Sequence, residues 1–439
     1  MGEPRRAALS GCTAWPRLLL AAALALPALG LPGLPGVAQT TRQPADQPVV
    51  VTIAGTGILV DGKPFAVRGA AGEGPLDELA ALGATTLRLY GGDPGPMLDA
   101  AQKAGLKVIA GLWVGQPRQG ADYGDAAFAA RQLADLETIV EKYRRHPALL
   151  MWGIGNEVEV DLADDSAIWP VIEQVAAMVR RVDPDHPTLA VLAETGTDKV
   201  RKLIARAPSL EVLGLNSYGD ALYSVTARAR EQGWRGPIIV TELGALGQWQ
   251  AAHAPWGAPF EPSSTQKAIQ LRRYLKALGD TGAIVFLWGQ KQEVTPGWHS
   301  LLLPGGEWTE GAEAMAEAWG GRVPGGNHAP RIVSLRVASD PSAPFASWPA
   351  GGEGAFALEA LDPDGDPIEV RWSVMAESAS RGIGGDAEAV PPAFPAAVRL
   401  AGPTGARIAG LPPGRYRVFV EILDARGAAA TANMPFEVR

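Results

Sequence analysis

Leu149-Leu-Met-Trp-Gly-Ile-Gly-Asn-Glu157 begins as an apolar run without polar alternation and ends in an amide followed by a carboxylate. A strand that is apolar on both faces is buried on both faces, as in a parallel sheet covered by helices. Similar runs occur at 65–69, 86–90, 108–114, 188–192, 212–218, 238–242 and 283–288, with the quoted one spanning 149–156. Between and after them lie amphipathic stretches at 75–82, 97–104, 126–145, 167–181, 197–207, 221–232, 264–278 and 310–319. Strand–helix units in this number and order, over residues 49–320, predict an α/β fold, a (β/α)8 TIM barrel. A doubly wound open sheet would be expected to show a glycine-rich phosphate turn after its first strand, and no G-x-G-x-x-G opens a helix here. Residues 50–60 with Asp61-Gly62 read as a hairpin over the barrel floor, since Asp-Gly is a favoured hairpin turn.

Outside the barrel the chain changes character twice. Residues 1–38 read as a signal peptide: Arg5, Arg6 and Arg17 precede an apolar run at 18–26, and Gly36 and Ala38 suit a cleavage site. Pro27, Pro32 and Pro35 interrupt the segment, and its clean run is shorter than the roughly 20 residues of a membrane span. The expectation is a secreted or periplasmic protein with no membrane span in its mature form. The twin Arg5-Arg6 also admits a Tat route. Cys12, the only cysteine, would leave with the leader, so neither an internal disulfide nor a Cys-rich metal site is expected. Residues 321–329 form a Gly/Pro-rich linker. Beyond it, at 330–439, apolar residues alternate with period two in short runs at 331–338, 355–361, 368–374, 398–400, 416–423 and 433–438. That pattern predicts an immunoglobulin-like β-sandwich, with Trp372 alternating into its core. Asp362-Pro-Asp-Gly-Asp366 is read as a turn and not a calcium loop, because Ser373 stands where a bidentate Glu belongs.

Composition narrows the function. Of 439 residues 47% are hydrophobic, enough for a packed core, and 39 basic against 47 acidic residues leave a net charge of −8. Such a balance, with no basic block, argues against nucleic-acid binding. The five His are scattered with no H-E-x-x-H spacing, so neither a metal nor another cofactor is expected. Thirteen Trp against seven Tyr is the unusual feature.

A (β/α)8 barrel carries its active site at the C-terminal ends of its strands. There the fourth strand delivers Asn156-Glu157, the seventh Glu242, the second Arg88-Leu-Tyr90, the sixth Asn216-Ser-Tyr218 and the eighth Trp288. Strands four and seven face each other, so two Glu can approach one substrate from opposite sides. Retaining glycoside hydrolysis needs this: one carboxyl protonates the leaving oxygen, and the other, ionised and about 5–5.5 Å away, attacks the sugar carbon. Arg88 and Tyr218 could hold Glu242 ionised, Asn156 could bind a sugar hydroxyl, and Trp288 could floor the ring. Glu73, Glu159, Glu194 and Glu293 also follow strands and are read as secondary contacts at best; His253 and His299 are read as rim residues. Trp113, Trp249, Trp256, Trp298 and Trp308, at strand ends and in the last two loops, could stack on sugar faces. A row of them suits an oligo- or polysaccharide.

The segment Arg145-His-Pro-Ala-Leu-Leu-Met-Trp-Gly-Ile-Gly-Asn-Glu157 resembles the acid/base strand of glycoside hydrolase clan A, especially the barrels of β-galactosidases, β-glucuronidases and β-mannosidases. Val240-Thr-Glu-Leu-Gly244 resembles that clan's nucleophile strand, and Asp61-Gly-Lys-Pro-Phe-Ala-Val-Arg-Gly69 its first strand. The second and third units, from Thr85 to Asp93 and from Ala104 to Trp113, look closer to endo-β-1,3-glucanases and β-1,3-glucanosyltransferases. The resemblance covers the barrel. It implies Glu157 as acid/base and Glu242 as nucleophile, and tilts the substrate toward a β-1,3-type glucan. The β-galactosidase group carries domains before its barrel, whereas here the sandwich follows it. A transglycosylase with the same residues, a hydrolase of β-galactosides or β-mannosides, and a non-catalytic carbohydrate-binding protein stay open. The sandwich shows no row of exposed aromatics and reads as a spacer or docking module.

Overall fold

The computed structural model describes residues 49–439, so the leader expected at 1–38 lies outside the described residues. Eight parallel strands close into a barrel: Arg68–Ala71, Thr86–Arg88, Lys107–Leu112, Leu149–Ile154, Thr188–Ala193, Val212–Tyr218, Ile238–Gly244 and Gly282–Phe286. The fold class is the expected one. All six residues of Leu149–Ile154 are buried, which is why the run lacks polar alternation. One face packs on the surrounding helices through residues such as Leu149, Trp152 and Ile154. The barrel interior is filled by Ile109, Met151, Leu189, Val191, Val212, Ile239 and Ile284.

That interior cluster continues into Val49, Val51 and Ile58, which plug the floor. Val51–Ala54 pairs with Gly57–Val60, which pairs in turn with Lys63–Pro64. The expected Asp61-Gly62 turn joins the second and third of these strands, with φ of 50° and 74° as a type I′ turn requires. The first hairpin turns at Gly55 and Thr56. The helices follow their predicted stretches with one exception. The stretch 221–232 breaks at Ser224 into a 3₁₀ turn, Gly219–Tyr223, and a helix, Val225–Glu231.

The C-terminal strands form two facing sheets. One orders Arg331–Val337, Glu353–Leu361, Gly405–Ala409 and Val398–Leu400; the other centres on Ile368–Ala376, Gly414–Asp424 and Ala428–Val438. Ala346–Trp348 and Gly405–Ala409 were not expected as strands. Trp348 stacks on Phe436 at 4.8 Å in the core between the sheets, and Trp372 is half-buried beside it. The Asp362–Asp366 turn folds on itself: Asp364 and Asp366 N–H donate to Asp362 Oδ1, while their carboxylates pair with His328 and Arg426.

Barrel and sandwich are joined by more than the chain. Trp308–Thr309, in the loop after the eighth strand, pairs in parallel with Ala428 and Ala429 of the last sandwich strand. The Gly/Pro-rich stretch 321–329 is packed tightly: Arg322 N–H donates to Ala81 O at 2.7 Å and Ala329 N–H to Glu313 Oε1 at 2.7 Å. A Cβ on Gly321 would sit 2.0 Å from the Leu82 carbonyl carbon, so glycine serves close approach there. Arg417, 1% exposed, bridges the halves by donating to Pro259 O in the barrel and Glu377 in the sandwich. Arg417→Met would leave Glu377 buried beside only the more distant Arg381. It should destabilise the protein by about 3 kcal/mol, read by chemical denaturation.

Candidate active site

The C-terminal strand ends enclose a cleft of about 1460 Å³. At its base lies Arg88, 2% exposed at the end of a three-residue strand. A buried guanidinium must find acceptors. Nη1 donates to Glu242 Oε1 at 2.9 Å and to Thr241 O at 2.8 Å, and Nη2 donates to Asn156 Oδ1 at 2.7 Å. The Thr241 carbonyl is turned to this use because the register of the seventh strand shifts between Val240 and Glu242. Such a bulge re-aims side chains at a barrel rim.

Glu242 receives two more hydrogen bonds, from Tyr90 Oη at 2.9 Å and Tyr218 Oη at 2.7 Å. Burial, and then the Glu242 charge, push both phenols well above their ordinary pKa, so they remain protonated donors. The carboxylate is thus held by one cation and two hydroxyls, a setting suited to a negative charge.

Glu157 sits in the opposite environment. The fourth strand rolls over at its end, with φ of 63° at Gly155 and 52° at Glu157. Left-handed backbone at a non-glycine residue is strained and clusters at functional sites. Glu157 Oε1 accepts from Asn216 Nδ2 at 2.8 Å. Burial first, and then the Glu242 charge, push its pKa up to about 8. Burial thus favours the protonated form of Glu157, while Glu242 lies against a guanidinium and two hydroxyls. Asn216 ties them together: its Nδ2 also reaches Asn156 Oδ1 at 3.1 Å, and its Oδ1 accepts from Thr241 Oγ1 at 2.9 Å.

Glu157, Glu242, Asn156, Arg88 and Tyr218 are thus brought together, and Trp113 and Trp249 line the cleft, 42% and 59% exposed. Four other tryptophans are not sugar platforms. Trp288 is fully buried, its indole donating to Pro75 O at 3.0 Å behind the first barrel loop. Phe286 occupies the floor position assigned to it. Trp298, 1% exposed, donates to Leu246 O and packs its loop down. Trp256 stands edge-on to Phe345 of the sandwich, 5.0 Å away. Trp308 is buried in the strand shared with the sandwich.

Several residues took more part than expected. Tyr90 and Asn216 stood at strand ends in the sequence, and inward counting from Arg88 and Tyr218 would have selected both. His299 is no rim residue: 6% exposed, it lies 5.1 Å from the Tyr218 ring and 5.5 Å from Phe286. Burial, and then Lys267, lower its pKa to about 3, so its 3.4 Å approach to Glu293 is by a neutral ring. Glu159 is structural, pairing with Lys199 at 2.9 Å and accepting from Ala193 N–H. Glu73, Glu194, Glu293 and His253 line the cleft.

No known family profile matches the sequence, nor does any curated protein. Solved structures share its fold. A β-glucuronidase from an uncultured Clostridium species aligns with a TM-score of 0.50 at 18% identity, covering 62% of this chain and 53% of its own. The β-D-glucuronidase of Dictyoglomus thermophilum aligns at 0.49 and 18%, with the same shares. A GH2 β-galacturonidase from Eisenbergiella tayi, bound to galacturonate, aligns at 0.48 and 15%, covering 62% and 54%. The chain spans about half the length of these proteins, and what it shares with the first of them is the fold.

The raised pKa of Glu157 has a consequence for stability. An unfolded Glu loses its proton near 4.5, whereas the folded one keeps it to about 8. The folded state binds the extra proton in that window, so this group's contribution to stability falls as pH rises through it. Glu157→Gln has no proton to lose. Its melting temperature relative to the unmutated protein should therefore rise between about pH 5 and about pH 9.

Proposed function

We infer that the protein is a retaining β-glycosidase, with Glu242 as nucleophile and Glu157 as acid/base. The carrying observation is the division of labour between two carboxyls at facing strand ends. One is clamped by Arg88, Tyr90 and Tyr218, and the other is kept protonated by burial. In the first step Glu242 attacks the anomeric carbon as the glycosidic C–O bond breaks, and Glu157 delivers its proton to the departing oxygen. In the second, Glu157 as carboxylate takes a proton from water, whose oxygen attacks that carbon and releases Glu242. Arg88 and the two phenols hold the attacking oxygens in place. Asn156, its Oδ1 held by Arg88 and Asn216, presents its amide nitrogen where a ring hydroxyl would lie, while Asn216 spends its own amide on Glu157, Asn156 and Thr241.

The substrate reading is a neutral β-linked glucan of the β-1,3 type. The cleft is lined by two exposed indoles on different loops, Trp113 beside Gly91 and Trp249 against Tyr218 at 5.4 Å. Its cations are partly engaged. Lys291 is held by Glu293 and Gly385 O, and Arg381 by the Ser378 and Ser380 carbonyls, leaving Arg88 for Glu242. The leader at 1–38 supports a working place outside the cytoplasm. Among the described residues no helix is long and apolar enough to cross a membrane.

The following measurements test this. A mechanism-based 2-deoxy-2-fluoro-β-glucoside should become covalently attached to Glu242, seen by peptide mass; attachment elsewhere would sink the assignment. Against β-1,3-, β-1,4- and mixed-linkage glucans and β-mannan, Glu242→Gln and Glu157→Gln should each lose at least about a thousandfold in kcat/KM. Glu157→Gln should lose far less on a dinitrophenyl glycoside, whose leaving group needs no proton. Products longer than the substrate would identify transfer, and shorter ones hydrolysis. The kcat/KM of the unmutated enzyme should fall as pH rises past about 8, where Glu157 loses its proton.

A further inference from the structure

Between Ala376 and Pro395 the sandwich chain runs without helix or strand. Ordered loops longer than roughly 12–15 residues with no structure of their own are usually functional. This one leaves the sandwich and crosses the barrel mouth. Its middle, Arg381 to Gly385, lines the same cleft as Glu157 and Glu242.

The crossing is anchored throughout. Glu377, at its start, is gripped by Arg417, which also holds Pro259 O in the seventh barrel loop. Lys291 of the eighth loop donates to Gly385 O at 2.6 Å. Arg118 of the third loop pairs with Asp386 at 2.8 Å, and Gln119 donates to the same carboxylate. Glu388 accepts from Gly382 N–H at 2.7 Å and from Val294 N–H at 2.6 Å, closing the strap on itself and pinning it to the eighth loop.

The glycines are required. Gly384 and Gly385 have φ of 55° and 79°, which disfavours other residues. A Cβ on Gly384 would lie 3.1 Å from Glu157 Oε2 and 3.1 Å from Arg118 Nη2; one on Gly385 would lie 3.0 Å from Lys291 Nζ. Bare backbone thus passes directly beside the acid/base carboxyl. Ile383, between Gly382 and Gly384, lines the cleft and is 43% exposed.

The place it covers is informative. Strands eight, one, two and three are consecutive round the barrel, and the strap runs from the eighth loop to the third. Between them the barrel's own connections are short, 72–75 and 89–94. The sandwich supplies a wall where the barrel does not build one. A chain bound by its middle needs a groove open at both ends.

We propose that the glycine-rich strap is a wall of the substrate site. It shuts the mouth above the first and second barrel loops, so that a β-linked sugar chain is seated by its end, with Ile383 against its terminal rings. The proposal rests on the glycosidase reading and makes the sandwich part of the catalytic unit instead of a spacer.

The test uses the full chain and end-labelled hexasaccharides of β-1,3-glucan, β-1,4-glucan and β-1,4-mannan, scored for terminal against internal cleavage at early times. The unmutated protein should cut at chain ends. Asp386→Ala, which frees the strap from Arg118 and Gln119, should raise the ratio of internal to terminal cuts by about fivefold or more. Ile383→Ala alters a cleft-facing, partly exposed side chain and should shift the ratio in the same direction even if Asp386→Ala does not fold. Internal cutting by the unmutated protein from the outset would overturn the proposal. So would an unchanged ratio in folded forms of both variants. Failure of the fluoroglucoside to label Glu242 in the unmutated protein would instead overturn the glycosidase reading.

Discussion

The site is organised by a cation with nowhere else to go. Arg88 is buried at the end of a very short strand, and an unpaired charge there would cost several kcal/mol. Its acceptors come from the fourth, sixth and seventh strands: Asn156, Asn216, Thr241 O and Glu242. Its guanidinium also lies over the Tyr90 ring at 4.4 Å. Satisfying this one group fixes the rotamers of most residues that face a substrate, and it sets the sign of the field at Glu242. Glu157 makes no direct hydrogen bond to the cation. It is linked only through Asn216, and that difference separates the two carboxyls chemically.

The architecture was legible because barrel strands buried on both faces lose their polar alternation, a pattern that survives in single sequence. Strand ends were legible for the same reason, and with them Arg88, Asn156, Glu157, Tyr218 and Glu242. What could not be read was side-chain direction beyond the strand. Trp288 and Phe286 lie two residues apart, and only the packing of the indole behind the first loop, against Pro75 O, decides which of them floors the cleft. Loop tryptophans posed the same problem. Trp298 and Trp249 both belong to long loops, yet one hydrogen-bonds inward to Leu246 O and the other stands on the rim against Tyr218.

Glycine-rich stretches carried a second ambiguity. At 321–329 and at 382–385 the composition suggests looseness, and both stretches are closely packed. Glycine marks a turn, a flexible joint or a place where two backbones nearly touch, and composition does not distinguish among them. In both stretches the neighbour that explains the glycine is distant in sequence: Leu82 for Gly321, and Glu157 and Arg118 for Gly384. The strap therefore left no local trace of its part in the cleft.

The strand shared by barrel and sandwich bears on the order of folding. Trp308 and Thr309 pair locally with Leu302 and Leu301, and their strand pairing is with Ala428 and Ala429, more than a hundred residues on. Loop closure over such a separation comes late, after contacts between neighbours in sequence have formed. The eighth barrel unit, and the cleft above it, are then completed by docking of the sandwich. A chain whose sandwich had not yet docked would carry a nearly finished barrel with an open mouth.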